Sequence, residues 1–143
     1  MSADFDSTKG ASFADRWCAA WSAGSGQGDF DTLEPMYTKD EDVPIFDTIE
    51  PLMGFRGYAD MKSSIYSGGQ LEGLELERSG EVEVKNIAQG GAVILTWPLT
   101  ITYTLPGKSA KAVPARMTQV LERRDSDWLI VLEHPSTIIS LEN

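Results

Sequence analysis

The stretch from Val113 to Ser136, VPARMTQVLERRDSDWLIVLEHPS, constrains this chain more than any other. Two runs rich in aliphatic and β-branched residues flank the tight polar turn Asp125-Ser126-Asp127, so the segment reads as a long antiparallel hairpin. A lone hairpin cannot bury its apolar face. The rest of the chain therefore has to pack against it or extend its sheet.

The preceding sequence supplies more strands. Leu74 and Leu76 alternate with Glu75 and Glu77, and Val82 and Val84 alternate with Glu81, Glu83 and Lys85, the half-buried pattern of antiparallel sheet. After the turn Gln89-Gly90-Gly91, a longer run puts Val93, Leu95, Trp97, Leu99, Ile101 and Tyr103 on one face. Thr96, Pro98, Thr100, Thr102 and Thr104 fall on the other, and Pro106-Gly107 begins the loop into the hairpin.

The first half is helical. Phe13, Trp17 and Trp21 recur every four residues after Ser12, an N-cap with Asp15 three positions on. Residues 1–11 lack periodicity and read as a disordered N-terminus, leaving 12–143 as a single domain, which a chain of 143 residues fits. The Gly-Ser run from Ser22 to Gly28 reads as a flexible connector. A second helix begins near Asp29 or Asp31. Pro35 is tolerated only in a first turn, which favours Asp31.

Val43, Ile45 and Asp47 then alternate with Pro44 and Phe46 along a short strand, with Pro44 suited to an edge or a strand start. A loop through Pro51, Gly54 and Gly57 leads to a third helix with Tyr58, Met61 and Ile65 on one side, stopped by Ser67-Gly68-Gly69. Helices first and antiparallel strands afterwards describe an α+β domain with the helices on one face of a curved sheet, leaving a concavity between them.

Charge narrows the partners. Twelve Lys and Arg against 22 Asp and Glu give a net charge of -10, which repels nucleic acid and anionic membrane surfaces. The opening MSADFDSTKG lacks the basic start and apolar run of a secretory signal, and no stretch reaches the roughly 18 apolar residues of a membrane span, so a soluble cytoplasmic protein is expected. Cys18, the one cysteine, cannot form an internal disulfide and reads as a small apolar contact on a helix. One His and one Cys make no zinc site, and Asp40-Glu41-Asp42 lacks the spacing and glycine of a calcium loop. Neither a metal nor a cofactor is expected.

The segments RWCAAWSAG, GDFDTLEPMY, VPIFD with GFRGYADMKSSI, and RMTQVLERRDSDWLIVLEHPS resemble, in that order and spacing, the nuclear transport factor 2-like superfamily. That group includes ketosteroid isomerases, SnoaL-like polyketide cyclases and the association domain of calmodulin-dependent kinase. The hairpin, with Trp128 and the EHPS ending, is most similar to the association domain and the SnoaL-like proteins. The resemblance implies a cone-shaped, cystatin-like fold in which a curved antiparallel sheet wraps around N-terminal helices over a deep pocket. It also implies a homodimer through the outer sheet face. It implies no single activity, because the fold hosts isomerases, cyclases, dehydratases and binding proteins.

Six residues stand out as candidates. Asp47 resembles the proton-shuttling carboxylate of the isomerases, and burial in an apolar pocket would make it a general base; as a strand-end aspartate it equally caps the next loop and faces water. The isomerase tyrosine position falls at Trp17 and the protonated-acid position at or beside Gln119, departures that weaken steroid isomerisation as a reading. Glu133 and His134, adjacent on a strand, point to opposite faces. The resemblance implies that Gln119 and Glu133 face the pocket and that Arg116 and His134 face outward, yet a slip of one residue at the turn exchanges the faces. With Glu133 inside, it pairs with Asp47 as acid and base; otherwise His134 is the titratable group there, and the ordinary reading of Glu133 is an ion pair with an arginine such as Arg116 of a dimer partner or a strand neighbour. Trp17, Tyr37, Trp97 and Gln119 are the expected ligand contacts, alongside their ordinary reading as core. The reading is a small domain that binds a small apolar, cyclic or aromatic molecule, with proton transfer by Asp47 as the alternative.

Overall fold

The computed structural model describes residues 5–48, 52–66 and 71–138, and the side chains of residues 25, 26, 65 and 66 are not part of that description. Among the described residues, three α-helices and seven strands follow in the order α1 (Ser7–Ser22), α2 (Phe30–Leu33), β1 (Pro44–Ile45), β2 (Phe55–Arg56), α3 (Tyr58–Tyr66), β3 (Gly73–Arg78), β4 (Glu83–Ile87), β5 (Ala92–Thr104), β6 (Lys111–Arg124) and β7 (Asp127–Thr137). The strands form one open, curved sheet in the order β2-β1-β7-β6-β5-β3, with β4 also on β5. It is antiparallel except where β1 runs parallel to β7 at Ile45 and Glu133. The expected α+β cone is therefore the fold.

The long hairpin is β6 and β7, closed by a two-residue connection with Asp125 at φ 57, so Asp127 belongs to the strand and not to the turn. Beyond it the ladder is irregular. Leu121 pairs with Ile130 but Val120 pairs with Leu132, so Val131 is an extra residue bulging from β7. Plain alternation from the buried Ile130 would turn Leu132 and His134 inward. The bulge shifts the phase by one residue, so Glu133 is buried opposite Gln119 and His134 is exposed.

β5 carries the apolar face read from the sequence: Val93, Leu95, Trp97, Leu99 and Ile101 are all buried. Pro98 interrupts this 13-residue strand without breaking it. A residue's N–H and C=O leave a strand on the same side, and the Pro98 carbonyl accepts from Ser79 N, at the point where β3 gives way to β4. The absent N–H therefore faces the gap between two partner strands and not the ladder with β6.

The helices correct three expectations. Helix α1 starts six residues earlier than expected, with Asp6 and not Ser12 as the N-cap, its side chain accepting from Lys9 N. Of the expected disordered segment 1–11, residues 5 and 6 are ordered and 7–11 are helical, because Phe5 is 3% exposed and its ring meets Phe13 and Trp128 edge-on. A single buried aromatic ahead of the periodic stripe anchors the segment. Gly10, also buried, lets α1 approach the sheet: a Cβ there would lie 2.8 Å from a Val84 methyl.

The second helix is capped by Asp29, not Asp31, and Pro35 is absorbed because the helix tightens into a 3-10 turn from Glu34 to Met36 that places the proline in its own first turn. The expected Gly-Ser connector is likewise partly ordered, with Ser22 ending α1 and a 3-10 turn over Ala23–Gly26. The expected loop at Gly54 contains β2, which pairs with β1; Gly54, just before β2, has φ 69, and a Cβ there would lie 2.5 Å from the Ile45 carbonyl oxygen. Pro51 and Ser67-Gly68-Gly69 lie outside the described residues, and the Ile65 side chain does too. None of the described helices is long and apolar enough to cross a membrane.

Candidate functional site

Helices α1 and α3, the segment that follows β1 and the inner face of β3, β5, β6 and β7 line a cavity of about 600 Å³. Most of its wall is aliphatic: Leu74, Leu76, Leu99, Ile101, Val113 and Met117 all contribute. Trp17 and Trp21, one turn apart on α1, add their rings in an edge-on pair with centroids 6.1 Å apart. Glu133 also lines it, 3% exposed, and is the one buried carboxylate among the described residues. Asp47 and Thr48 line it too but are exposed, which places them at the mouth.

A carboxylate cannot be buried in such surroundings without hydrogen bonds, and Glu133 has several. The Tyr37 hydroxyl lies 2.9 Å from both of its oxygens and donates to them, and Gln119 Nε2 donates to Oε2 at 3.0 Å. Behind these stand two indoles. Trp17 Nε1 donates to the Tyr37 oxygen at 3.0 Å, and Trp97 Nε1 donates to Gln119 Oε1 at 3.2 Å. The second contact fixes the amide: with its oxygen occupied by Trp97, Gln119 can only offer its N–H to Glu133. A chain of five side chains, Trp17-Tyr37-Glu133-Gln119-Trp97, thus runs through the interior from α1 to β5.

Burial pushes the Glu133 carboxyl up to about 7, against the pull of the Gln119 and Tyr37 hydrogen bonds, and the negative charge of Asp47 adds to the rise. Tyr37 is raised well above the usual phenol value, first by burial and then by Glu133. The tyrosine therefore stays protonated and remains a donor. Oε1 of Glu133 accepts one hydrogen bond where Oε2 accepts two, so Oε1 keeps lone-pair capacity for a ligand. A group that titrates near neutrality at the closed end of an apolar cavity can donate or accept a proton.

All six expected site residues are thus brought into or beside one cavity. Of the two readings of Asp47, the water-facing one matches its exposure: its Oδ1 accepts from Thr48 N at 2.6 Å, and the desolvated carboxylate is Glu133. Of the four expected ligand contacts, only Trp17 lines the cavity. Tyr37, Trp97 and Gln119 lie behind Glu133 as its hydrogen-bonded support, because their polar ends point at one another. Arg116 is on the outer face, donating to Ser136 Oγ, and is no partner of Glu133. His134 is exposed there with its ring 4.7 Å from that of Phe46. Cys18 is buried and its thiol is pushed up to about 12, first by burial, so it is inert.

Sequence reasoning did not anticipate the Tyr37 hydrogen bond to Glu133. The residues lie 96 positions apart, and the parallel bridge between Tyr37 and Ile130 brings their segments side by side. A second groove, of about 700 Å³, lies outside between the start of α1 and the hairpin turn, lined by Phe5, Arg16 and Trp128 among others. It is open, and the carboxylate it contains, Asp127, is exposed.

Residues 11–140 match the profile of the SnoaL-like domain. The chain belongs to the SnoaL-like family. Solved structures share this SnoaL-like fold at low identity. A nuclear transport factor 2-like superfamily protein from Salmonella enterica superposes with a TM-score of 0.72 at 13% identity, covering 95% of this chain and 96% of that one. A candidate association domain of calcium/calmodulin-dependent protein kinase II from Xanthomonas campestris gives 0.66 at 22%, covering 90% and 84%. A candidate dehydratase from Streptomyces avermitilis gives 0.68 at 16%, covering 94% and 98%. At these identities the likeness is one of fold. No curated protein matches the sequence.

Proposed function

We propose that this SnoaL-like domain binds a small, largely apolar, cyclic or aromatic molecule in the cavity, with Glu133 as its polar anchor. The observation that carries the reading is one buried carboxylate, held by Tyr37 and Gln119, at the closed end of a cavity of about 600 Å³ whose wall is otherwise mainly aliphatic and aromatic. The lone buried thiol suits a cytoplasmic setting, and the half-buried Ile94, Val120 and Leu132, paired side by side on the outer face of β5, β6 and β7, suit a homodimer.

A second reading, proton transfer, is favoured by the titration of Glu133 near 7. In it Glu133 replaces Asp47 as the general base, and Asp47 at the mouth adjusts the charge around it. One experiment separates the two. With 2-tetralone in D₂O, NMR follows deuteration of the ketone α-carbon while tryptophan fluorescence follows binding. Saturable binding with exchange that is lost in Glu133→Gln supports proton transfer. Saturable binding without exchange leaves the binding reading alone, and a ketone that neither binds nor exchanges counts against both.

A further inference from the structure

We propose that the ligand class of this cavity is the lipophilic amine, bound as its ammonium ion with the nitrogen at Glu133 Oε1 and the hydrocarbon body against the aliphatic wall. The inference rests on the binding reading above and narrows it to one charge type. Three observations carry it.

The first is the charge of the lining. Asp47 and Glu133 both contribute to it, and among the described lining residues there is no Lys, Arg or His. The elements packed around Glu133 present Trp17 from α1, Tyr37 after α2, Asp47 after β1 and Gln119 from β6; the titratable groups among these are a carboxylate and a phenol. A bound carboxylate or phosphate would meet two acids and, among the described lining residues, no cationic side chain. An ammonium ion would meet two acids, one of them within a low-dielectric wall where a paired charge gains most.

The second is the aromatic pair. Trp17 and Trp21 line the same cavity, and indole rings attract a cation over their faces. The third is the polarity of the hydrogen bonds. Tyr37 and Gln119 already donate to Glu133, and its remaining capacity on Oε1 accepts a hydrogen bond, which an ammonium N–H supplies with charge assistance. A ligand carbonyl, an acceptor only, would require the carboxyl to be protonated.

Binding then follows simple proton bookkeeping. An ammonium ion selects the carboxylate form of Glu133, so at neutral pH complex formation expels the proton carried by the fraction of molecules in which Glu133 is neutral. No other bond is made or broken.

The test uses three non-fluorescent probes of one shape: adamantan-1-ylmethylamine, adamantan-1-ylmethanol and adamantane-1-carboxylate. Each is titrated into the intact protein at pH 7 and low salt, with tryptophan fluorescence and calorimetry as readouts. The amine is expected to bind about tenfold more tightly than the alcohol, as a charge-assisted hydrogen bond exceeds a neutral one, and the carboxylate more weakly than either. Calorimetry in buffers of different ionisation enthalpy should show net proton release for the amine alone. Glu133→Gln should reduce the amine to the level of the alcohol in that variant and abolish the proton release. An alcohol that equals the amine, or a carboxylate that surpasses it, overturns the amine inference and leaves the apolar cavity reading standing. Failure of all three overturns both.

Discussion

Glu133 is a carboxyl group that the folded chain holds in its neutral form more strongly than the unfolded chain does, and the sign of its contribution to stability follows from that. Its folded value is about 7 against an unperturbed 4.5. Between those two values the native state keeps a proton that the unfolded state has lost. The contribution is therefore fully present below pH 4.5, declines as pH rises, and is exhausted above 7. The shift corresponds to roughly 3 kcal/mol. Asp15, Asp29 and Asp40 act in the opposite sense, because hydrogen bonds from Arg78, Thr32 and Arg124 hold them below their usual 3.8 and their contribution is lost as pH falls through that lower range. The windows scarcely overlap. Urea unfolding of the native chain and of Glu133→Gln, from pH 4 to 8, should give a difference that falls by about 3 kcal/mol across the window from 4.5 to 7. Gln can keep the contacts from Tyr37 and Gln119 on its oxygen and has no proton to lose. Parallel curves would show that Glu133 titrates normally and would remove the basis for acid–base chemistry at this position.

At the scale of elements, two joints hold the cavity's shape. One is the bulge at Val131, which decides whether Glu133 or His134 points inward. The other ties α1 to the edge strand β3: Ser22 Oγ accepts from Leu76 N at 2.8 Å and donates to the Cys18 carbonyl at 2.7 Å. Ser22→Ala leaves the half-buried Leu76 amide without that partner. It should cost about 1 kcal/mol in urea unfolding and speed hydrogen exchange at Leu76 selectively; unchanged exchange at Leu76 would show that water already serves that amide. The two joints also mark how far the sequence could be read. Alternation in β5 and the four-residue stripe of Phe13, Trp17 and Trp21 were legible because each burial choice is local and repeats. A bulge leaves no such trace, since one extra residue in the run LIVLE looks like continued strand. Ser22 lies in a Gly-Ser run that resembles linker, and its partner is 54 positions away. The same holds for the site: Gln119 and Glu133 could be named from their strands, but Tyr37 as the donor to Glu133 depended on a contact between distant segments.

For the whole molecule the open question is what covers the outer face of the sheet. The ladder places Ile94 beside Val120 and Val120 beside Leu132, a row of three aliphatic side chains across β5, β6 and β7 on the face opposite Leu95, Gln119 and Glu133. All three are half-buried within the single chain. A second copy related by a twofold axis would lay this row against its equivalent, the isologous arrangement that most homodimers use. Charge opposes it, because each chain carries a net -10 and two chains repel. The balance predicts a particular salt dependence: association should strengthen as salt rises toward about 0.15 M, where screening weakens the repulsion and leaves the apolar contact intact. Light scattering after size-exclusion chromatography should therefore give twice the 15.7 kDa of one chain at moderate salt, with monomer increasing at low salt. Val120→Lys, in the middle of the row, should remain folded by circular dichroism and run as a monomer. A native chain that is monomeric at every salt concentration would exclude this interface, and a dimer that survives Val120→Lys would place the contact on another face.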